Sequence, residues 1–250
     1  MHSISSGEET IYFEIRRGRR KKSVAILIGP KAQVVVLAPR YLDEERIRAI
    51  VQKKARWIIE KQELARVIRS LNPPKEFVGG ETFPYLGRRY RLEVIRSTVK
   101  KEKKCKLIRG QLRVEIGQEL GEKEARMRVK KALLDWYFER AASEIRERID
   151  PWAEQIGKWP RSIEIKDQKA RWGSCSASGV IRFNWEIIMA PPPVVDYVIV
   201  HELCHLIHLH HSHRFWQKVR SILPDYQESR MLLRQSHFAF EDADPSGEIG

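Results

Sequence analysis

The motif H-E-x-x-H at residues 201–205 constrains this chain most, because it combines a helical spacing with a metal-binding pattern. A helix rises about 1.5 Å per residue, so His201 and His205 lie one turn apart on one face. Two imidazoles at this spacing can bind one zinc ion, and Glu202 can reach a water on the metal. The motif therefore predicts a helix that carries a zinc site.

The residues around the motif predict an amphipathic helix. Three prolines at 191–193 precede it, and proline suits the first turn of a helix. At 100° per residue, apolar side chains form one side of this helix and the two histidines lie on the other. The apolar set is Val195, Ile199, Leu203, Leu206 and Ile207. Two histidines on an ordinary polar face are the alternative, but six of the eight histidines fall within 201–213.

A catalytic zinc ion needs a third protein ligand and one open position. The nearby histidines are His208, His210, His211 and His213. His211 follows His201 by ten residues, the spacing of the third histidine in metzincins, although His208 replaces the glycine that those enzymes have. We favour His211 as the third ligand, with Glu228 of a later helix as its rival. His210 and His213 are interpreted as solvated neighbours or as groups that contact substrate.

Length and composition predict a cytoplasmic protein with ample core. The 250 residues allow one large domain or two small ones. No segment approaches the roughly 20 apolar residues of a membrane helix, and no secretory signal is visible at the start. Three widely spaced cysteines do not suggest a disulfide framework. Cys204, inside the motif, is interpreted as a small buried residue.

The net charge of +14 is unevenly distributed. Residues 1–150 contain 36 Lys and Arg against 21 Asp and Glu, whereas residues 151–250 contain 11 against 12. The densest basic runs are 16–22 and 100–104. They are interpreted as solvated turns and helix faces, or alternatively as a nucleic-acid-binding surface, because such charge attracts phosphates.

Hydrophobic patterning predicts an α+β protein. Strands are predicted at 11–15, 24–28 and 33–38, followed by a helix from Asp43 to about residue 70. A second β-rich stretch is predicted at 82–85, 89–95, 105–108 and 111–115. A long helix over 121–149 then ends before Pro151, with a short helix to residue 156.

The last third of the chain is predicted to place strands beside the motif helix. Strands at 161–165 and 180–185 flank residues 171–175, and helices follow at 214–223 and 227–237. The strand at 180–185 is interpreted as a floor for the motif helix, or as a template to which an extended peptide adds.

Several short motifs together resemble the YgjP-like metallopeptidases, a family similar to the SprT-like and WLM metallopeptidases. They are R-W-G-S-C at 171–175, N-W at 184–185, A-P-P at 190–192, V-H-E-L-C-H at 200–205, H-S at 211–212 and F-W at 215–216. The A-P-R step at 38–40 and K-A-R-W-I at 54–58 also fit. Cys204 departs from the family pattern, in which alanine is usual. The resemblance covers most of residues 10–238.

The resemblance implies a zincin-like catalytic domain behind a β-rich N-terminal portion. It implies zinc ligation by His201, His205 and His211, with Glu202 as general base and a protein or peptide as substrate. The domain organisation expected is a basic β-rich region with one long helix at 1–118, a mostly helical metallopeptidase domain with a small antiparallel sheet at 119–240, and a loose acidic tail at 241–250. SprT-like relatives act on DNA-bound protein, and that target is an analogy only.

The mechanism expected is zinc-assisted peptide hydrolysis, with Arg171 or Tyr197 as a candidate oxyanion stabiliser. One alternative is a metal-dependent nucleotide or phosphoester hydrolase. Against it, three histidines suit zinc better than magnesium, and no G-x-x-x-x-G-K-[ST] loop is present. Another is a nucleic-acid-binding module stabilised by a metal, which would require four protein ligands and would leave Glu202 without a role.

Overall fold

The computed structural model describes residues 1–7, 9–18, 23–29, 31–71, 73–98, 103–168 and 171–235. It is an α+β protein whose N-terminal region is rich in strands and whose C-terminal region is helical, as predicted. Two compact units are present, Met1–Pro74 and Lys75–Gly250. The boundary predicted at residue 118 lies inside the second unit, because the strands before it and the helix after it share one core. The acidic tail at 241–250 is outside the described residues.

The first unit is a four-stranded sheet with two helices. Its elements are β1 (His2–Ser6), β2 (Glu9–Gly18), β3 (Ala25–Ile28), β4 (Val34–Pro39), α1 (Glu44–Lys53) and α2 (Ala55–Leu71). The strand order is β1-β2-β4-β3, with a parallel central pair and antiparallel outer pairs. Alternate β2 residues such as Ile11 and Phe13 are buried, which is the pattern of a half-buried strand.

Two local predictions for the first unit have different outcomes. Asp43 caps α1 as predicted, since its side chain accepts a hydrogen bond from the Arg46 N–H at 2.7 Å. The single long helix predicted from Asp43 is wrong, because Lys54 separates α1 from α2. Lys54 leaves helical geometry, with φ −105° and ψ 8°, and its N–H donates to the carbonyl of Val51.

The second unit begins with a sheet of the same pattern. Its strands are β5 (Thr82–Tyr85), β6 (Arg88–Ser97), β7 (Lys103–Ile108) and β8 (Gln111–Gly117), in the order β5-β6-β8-β7. Again the central pair is parallel and the outer pairs are antiparallel. Phe83, Leu92 and Leu112 turn inward from three of these strands. All four strands were predicted from the sequence.

Helix α3 (Glu122–Ile156) runs continuously for 35 residues. The predicted end before Pro151 is therefore wrong. Proline in a helix removes one hydrogen bond and crowds the preceding turn, at a cost of about 3 kcal/mol. Buried residues lie on both sides of this proline, with Ile149 before it and Ala153 and Ile156 after it. Packing therefore stabilises the helix beyond the proline.

The remaining elements surround the motif. They are β9 (Ser162–Lys166), β10 (Gly173–Cys175), β11 (Val180–Asn184), a 3₁₀ helix (Trp185–Met189), α4 (Pro192–Cys204), α5 (His213–Ile222) and α6 (Tyr226–Gln235). The small sheet, predicted to be antiparallel, is mixed: its order is β10-β11-β9, with β10 antiparallel and β9 parallel to β11. Because β11 is paired on both sides, the peptide-template role predicted for it is wrong, and β10 is the edge strand closer in sequence to the motif. No helix in the described ranges is long and apolar enough to cross a membrane.

Only part of the two dense basic runs, 16–22 and 100–104, lies within the described ranges. Arg19–Lys22 and residues 100–102 fall outside the described ranges. Arg16 pairs with Glu14 at 2.8 Å, and Lys104 pairs with Glu139. These two exposed ion pairs balance part of the described basic charge, and the solvated turns and helix faces, like nucleic-acid binding, stay predictions from the sequence.

Candidate metal centre

Helix α4 carries the motif and is buried on nearly all sides. Besides Val195, Ile199 and Leu203, the side chains of Val194 and Val198 are also buried. A helix that is apolar around most of its circumference lies in the core. The N–H and C=O groups at its two ends have no partners within the helix and need polar partners from neighbouring elements. Ile207, predicted on the buried side, is 39% exposed because α4 ends at Cys204.

The start of α4 is held by three neighbouring elements. In the β5–β6 turn, the N–H groups of Leu86 and Gly87 donate to carbonyls of the 3₁₀ helix, those of Ile188 at 2.7 Å and Met189 at 3.3 Å. Arg148 of α3 pairs with Asp196 at 3.3 Å. The Ser229 hydroxyl of α6 donates to the Pro193 carbonyl at 3.2 Å. The motif is thus positioned by the second sheet, α3 and α6.

The three histidines expected to bind metal converge on one point. The Nε2 atom of His211 lies 3.0 Å from that of His201 and 3.1 Å from that of His205. His205 keeps right-handed helical geometry at the C-terminal end of α4, so the one-turn spacing of the motif is preserved. His211 comes from the segment just before α5, whose first turn is capped by the Ser212 side chain.

Phe215 forms an apolar support for all three imidazoles. Its ring centroid lies 4.9 Å from those of His201 and His211 and 4.5 Å from that of His205. Phe215 is fully buried in the first turn of α5. Trp216 stacks on His211 at 5.6 Å with an angle of 20° between the rings. Aromatic packing therefore limits the rotation of the imidazoles.

Two of the histidines, His201 and His205, are partly buried, which favours the neutral form that a metal requires. Burial lowers the pKa of His201 to about 3, with further lowering by the neighbouring His205 and His211. Burial also lowers the pKa of His205. The Nδ1–H group of His205 donates to the His208 carbonyl at 2.9 Å, which directs the Nε2 lone pair toward the other rings.

This donor set fits a zinc ion. A tetrahedral zinc site with Zn–N bonds of about 2.0–2.1 Å separates its ligand nitrogens by roughly 3.3 Å. The observed separations of 3.0 and 3.1 Å are close to that value. Within the described part of the chain, the group of residues able to hold a metal consists of His201, His205 and His211. Three imidazoles with room for a fourth, non-protein ligand match the ligand set of a catalytic zinc site.

Glu202 is a buried acid that lines the same pocket as the histidines. Its side chain is 5% exposed, and its Oε2 atom has no hydrogen-bond partner among the described residues. Burial raises its pKa to about 8, partly offset by the charge of Arg171. A cation held by the imidazoles would lower this pKa again, since an opposite charge favours the carboxylate.

Gly173 of β10 lies directly against Glu202. A Cβ atom at this position would lie 2.7 Å from Cγ and Oε1 of Glu202. Such a separation is far below van der Waals contact, so only glycine fits here without displacing the carboxylate. Close packing against Glu202 thus explains why the R-W-G-S-C segment has a glycine at this position, which the sequence context alone did not reveal.

The other residues considered from the sequence have different positions. Glu228, the rival ligand, is exposed on α6 and is not part of the histidine group. His210 and His213 are exposed, and Cys204 is fully buried. Tyr197 lines the pocket with its ring 5.8 Å from that of His201. Arg171 is exposed and acts on Glu202 by charge.

Sequence reasoning missed one charged group of this pocket. Arg230 of α6 lines the pocket, which has a volume of about 470 Å³. Its guanidinium carbon lies 4.3 Å from the centroid of the Trp216 ring. Nothing in the sequence marks this arginine, because its approach to the motif depends on the packing of α6 against α4.

A helix with two histidines, a third histidine from the segment that precedes the next helix, and an adjacent acid together define the site type of a metallopeptidase. The model of the YgjP-like metallopeptidase domain matches residues 22–236, and the chain belongs to this family. No curated protein matches it.

Two solved structures show a limited similarity. They are the metallopeptidase zymogens abylysin of Pyrococcus abyssi and jannalysin of Methanocaldococcus jannaschii, with 20% and 21% sequence identity. Each match covers 36% of this chain, 93% and 94% of the respective zymogen chain, and has a TM-score of 0.33.

Proposed function

We propose that this protein is a zinc-dependent peptidase in which His201, His205 and His211 hold the metal and Glu202 is the general base. The observation that carries the proposal is the convergence of three imidazoles beside a buried acid: the Nε2 atom of His211 lies 3.0 Å from that of His201 and 3.1 Å from that of His205. Zinc bound there would polarise the scissile carbonyl and lower the pKa of water to about 7.

Glu202 moves the protons of the reaction. Its carboxylate takes a proton from the attacking water as the oxygen bonds to the carbonyl carbon. It then delivers that proton to the amine nitrogen as the C–N bond breaks, so the acid is regenerated as a carboxylate. Tyr197 is the better candidate for stabilising the developing oxyanion, because it lines the pocket and Arg171 does not.

The substrate would lie along β10. This strand is an edge of its sheet, paired with β11 on one side, so its other side can accept the backbone of an extended peptide. The contact of Gly173 with Glu202 brings this edge next to the general base. A peptide added there would pass in front of the three histidines.

Glu202→Gln tests the proposed base. We expect the variant to keep its zinc, measured by mass spectrometry of the metal, and to lose at least about hundredfold in the hydrolysis of denatured protein. Glu228→Gln is the matched control, an exposed acid in the same unit, and should change neither quantity. Unchanged turnover in Glu202→Gln would refute the assigned base, and loss of zinc from Glu228→Gln would restore the rival ligand.

A further inference from the structure

Arg230 places a positive charge in the pocket in front of the histidines. The same pocket is lined by His201, Glu202 and Trp216. Arg230 is half-buried on α6, and α6 is fixed to the start of α4 by the hydrogen bond from Ser229 to Pro193. The guanidinium therefore belongs to the wall of the site and not to the open surface.

Trp216 fixes the position of this guanidinium. The guanidinium carbon lies 4.3 Å from the Trp216 ring centroid, and the same ring stacks on His211. A cation over an aromatic face is attracted by the ring electrons. This contact with the ring uses no hydrogen bond, so the N–H donors of the guanidinium remain able to bond an acceptor.

No acid neutralises Arg230 within the described ranges. None of the ion pairs found there includes it, although arginines elsewhere in the second unit pair with Glu93, Glu144 and Asp196. A cation that lines this pocket and has no acidic partner among the described residues is suited to an anionic group of a ligand.

We propose that Arg230 binds a carboxylate of the peptide substrate and so makes the enzyme selective for substrates that carry one near the scissile bond. This inference rests on the proposed peptidase function. A planar guanidinium matches a carboxylate through two parallel N–H···O bonds, which gives geometric selectivity as well as affinity. The carboxylate can belong to an acidic side chain or to the C-terminus of the substrate.

Peptide binding to a variant without hydrolytic activity distinguishes an acidic side chain from a C-terminal carboxylate as the group that Arg230 binds. Glu202→Gln, loaded with zinc, is titrated by calorimetry with three peptides of one length: one with an internal glutamate and an amidated end, one with glutamine and an amidated end, and one with glutamine and a free end. We expect one of the two carboxylate peptides to bind about tenfold to hundredfold more tightly than the neutral one. The peptide that gains affinity identifies the source.

Substitutions at Arg230 assign that preference to this side chain. Adding Arg230→Gln should equalise the affinities of the three peptides, and Arg230→Glu should favour a lysine-containing peptide. Arg230→Lys, which keeps a charge without the planar fork, should retain part of the preference. Arg220→Gln, an exposed arginine on α5, is the control and should leave the preference intact.

The outcomes for selectivity and for hydrolysis are distinguishable. A carboxylate preference that requires Arg230 supports the inference even if the wild-type protein hydrolyses no peptide. Equal binding of the charged and neutral peptides overturns it even if hydrolysis is found. In turnover assays, loss of kcat/KM on carboxylate substrates alone supports it. An equal loss of kcat on all substrates would instead mean that Arg230 acts on the reacting carbonyl, and would also overturn it.

Discussion

The two four-stranded sheets have one topology but different roles. The orders β1-β2-β4-β3 and β5-β6-β8-β7 share a parallel central pair flanked by antiparallel pairs, and each sheet is followed by helix. The first sheet packs with α1 and α2 around its own core, which includes Phe13, Val36 and Ile47. The core of the second sheet is continuous with that of α3, α4 and α5.

The difference shows how the same topology serves as a separate unit or as a support for a site. The second sheet donates hydrogen bonds from its β5–β6 turn to the segment that leads into α4. Its strand β5 is also tied to α3, because the hydroxyl of Tyr137 donates to the Pro84 carbonyl and that of Tyr85 donates to Glu144. In the described ranges, the three-histidine group lies wholly in the second unit.

The comparison predicts that metal binding depends on the second unit alone. His211→Ala should weaken zinc binding by more than about hundredfold and abolish hydrolysis, since even outer-shell substitutions cost 10–100-fold. His210→Ala, next to it, and His2→Ala, in the first unit, should leave both properties unchanged. Zinc titration against a chelator of known affinity measures the effect. Zinc loss in His2→Ala would contradict the separation of roles.

A second prediction compares the two cores. Phe83→Ala and Phe13→Ala each remove a fully buried ring, so each should lower the free energy of unfolding of its own unit by about 3–5 kcal/mol. Phe83→Ala should also lower peptide hydrolysis, whereas Phe13→Ala should leave it near the wild-type value. Urea unfolding followed by hydrogen exchange, with hydrolysis assayed in parallel, checks both effects. Equal losses of hydrolysis would show that the two cores are not independent.

A smaller effect is expected at the equivalent turns of the two sheets. Gly7 and Gly87 have φ values of +63° and +76°, so alanine is strained at either position. A Cβ at Gly7 meets no described atom within 4 Å, whereas one at Gly87 lies 3.0 Å from Cα of Pro191. Gly7→Ala should cost about 1 kcal/mol of unfolding free energy.

Gly87→Ala should cost roughly 2–4 kcal/mol, because the contact with Pro191 adds an overpacking penalty to the backbone strain. It should also lower hydrolysis by displacing the start of α4, which Gly7→Ala should not do. Thermal unfolding and peptide hydrolysis of the two variants give the comparison. If the two costs are equal, the β5–β6 turn does not support the site.

Local sequence signals account for much of this fold. The Asp43 cap, seven of the eight strands in the two four-stranded sheets, and α4 with its histidines all follow from patterns within a few residues. The strands β1 and β10 escaped prediction, since β1 is mostly polar and β10 has three residues. Pro151 inside α3 shows that packing outweighs a strong local signal.

Long-range arrangements could not be predicted from one sequence. The parallel pairing at the centre of each sheet joins strands that are separated along the chain by another strand. Arg230 meets the site through the packing of α6, and Gly173 through the approach of β10 to Glu202. The motif indicated which residues could bind metal, but the wall of the pocket depends on contacts that have no local pattern.

Anomalous diffraction at the zinc absorption edge, from crystals of the zinc-loaded protein, tests the central claim most directly. We predict one peak about 2.0–2.1 Å from each Nε2 atom of His201, His205 and His211, with a fourth position that no protein atom occupies. A peak elsewhere, or a fourth protein ligand closing the site, would contradict the account of a catalytic metal centre.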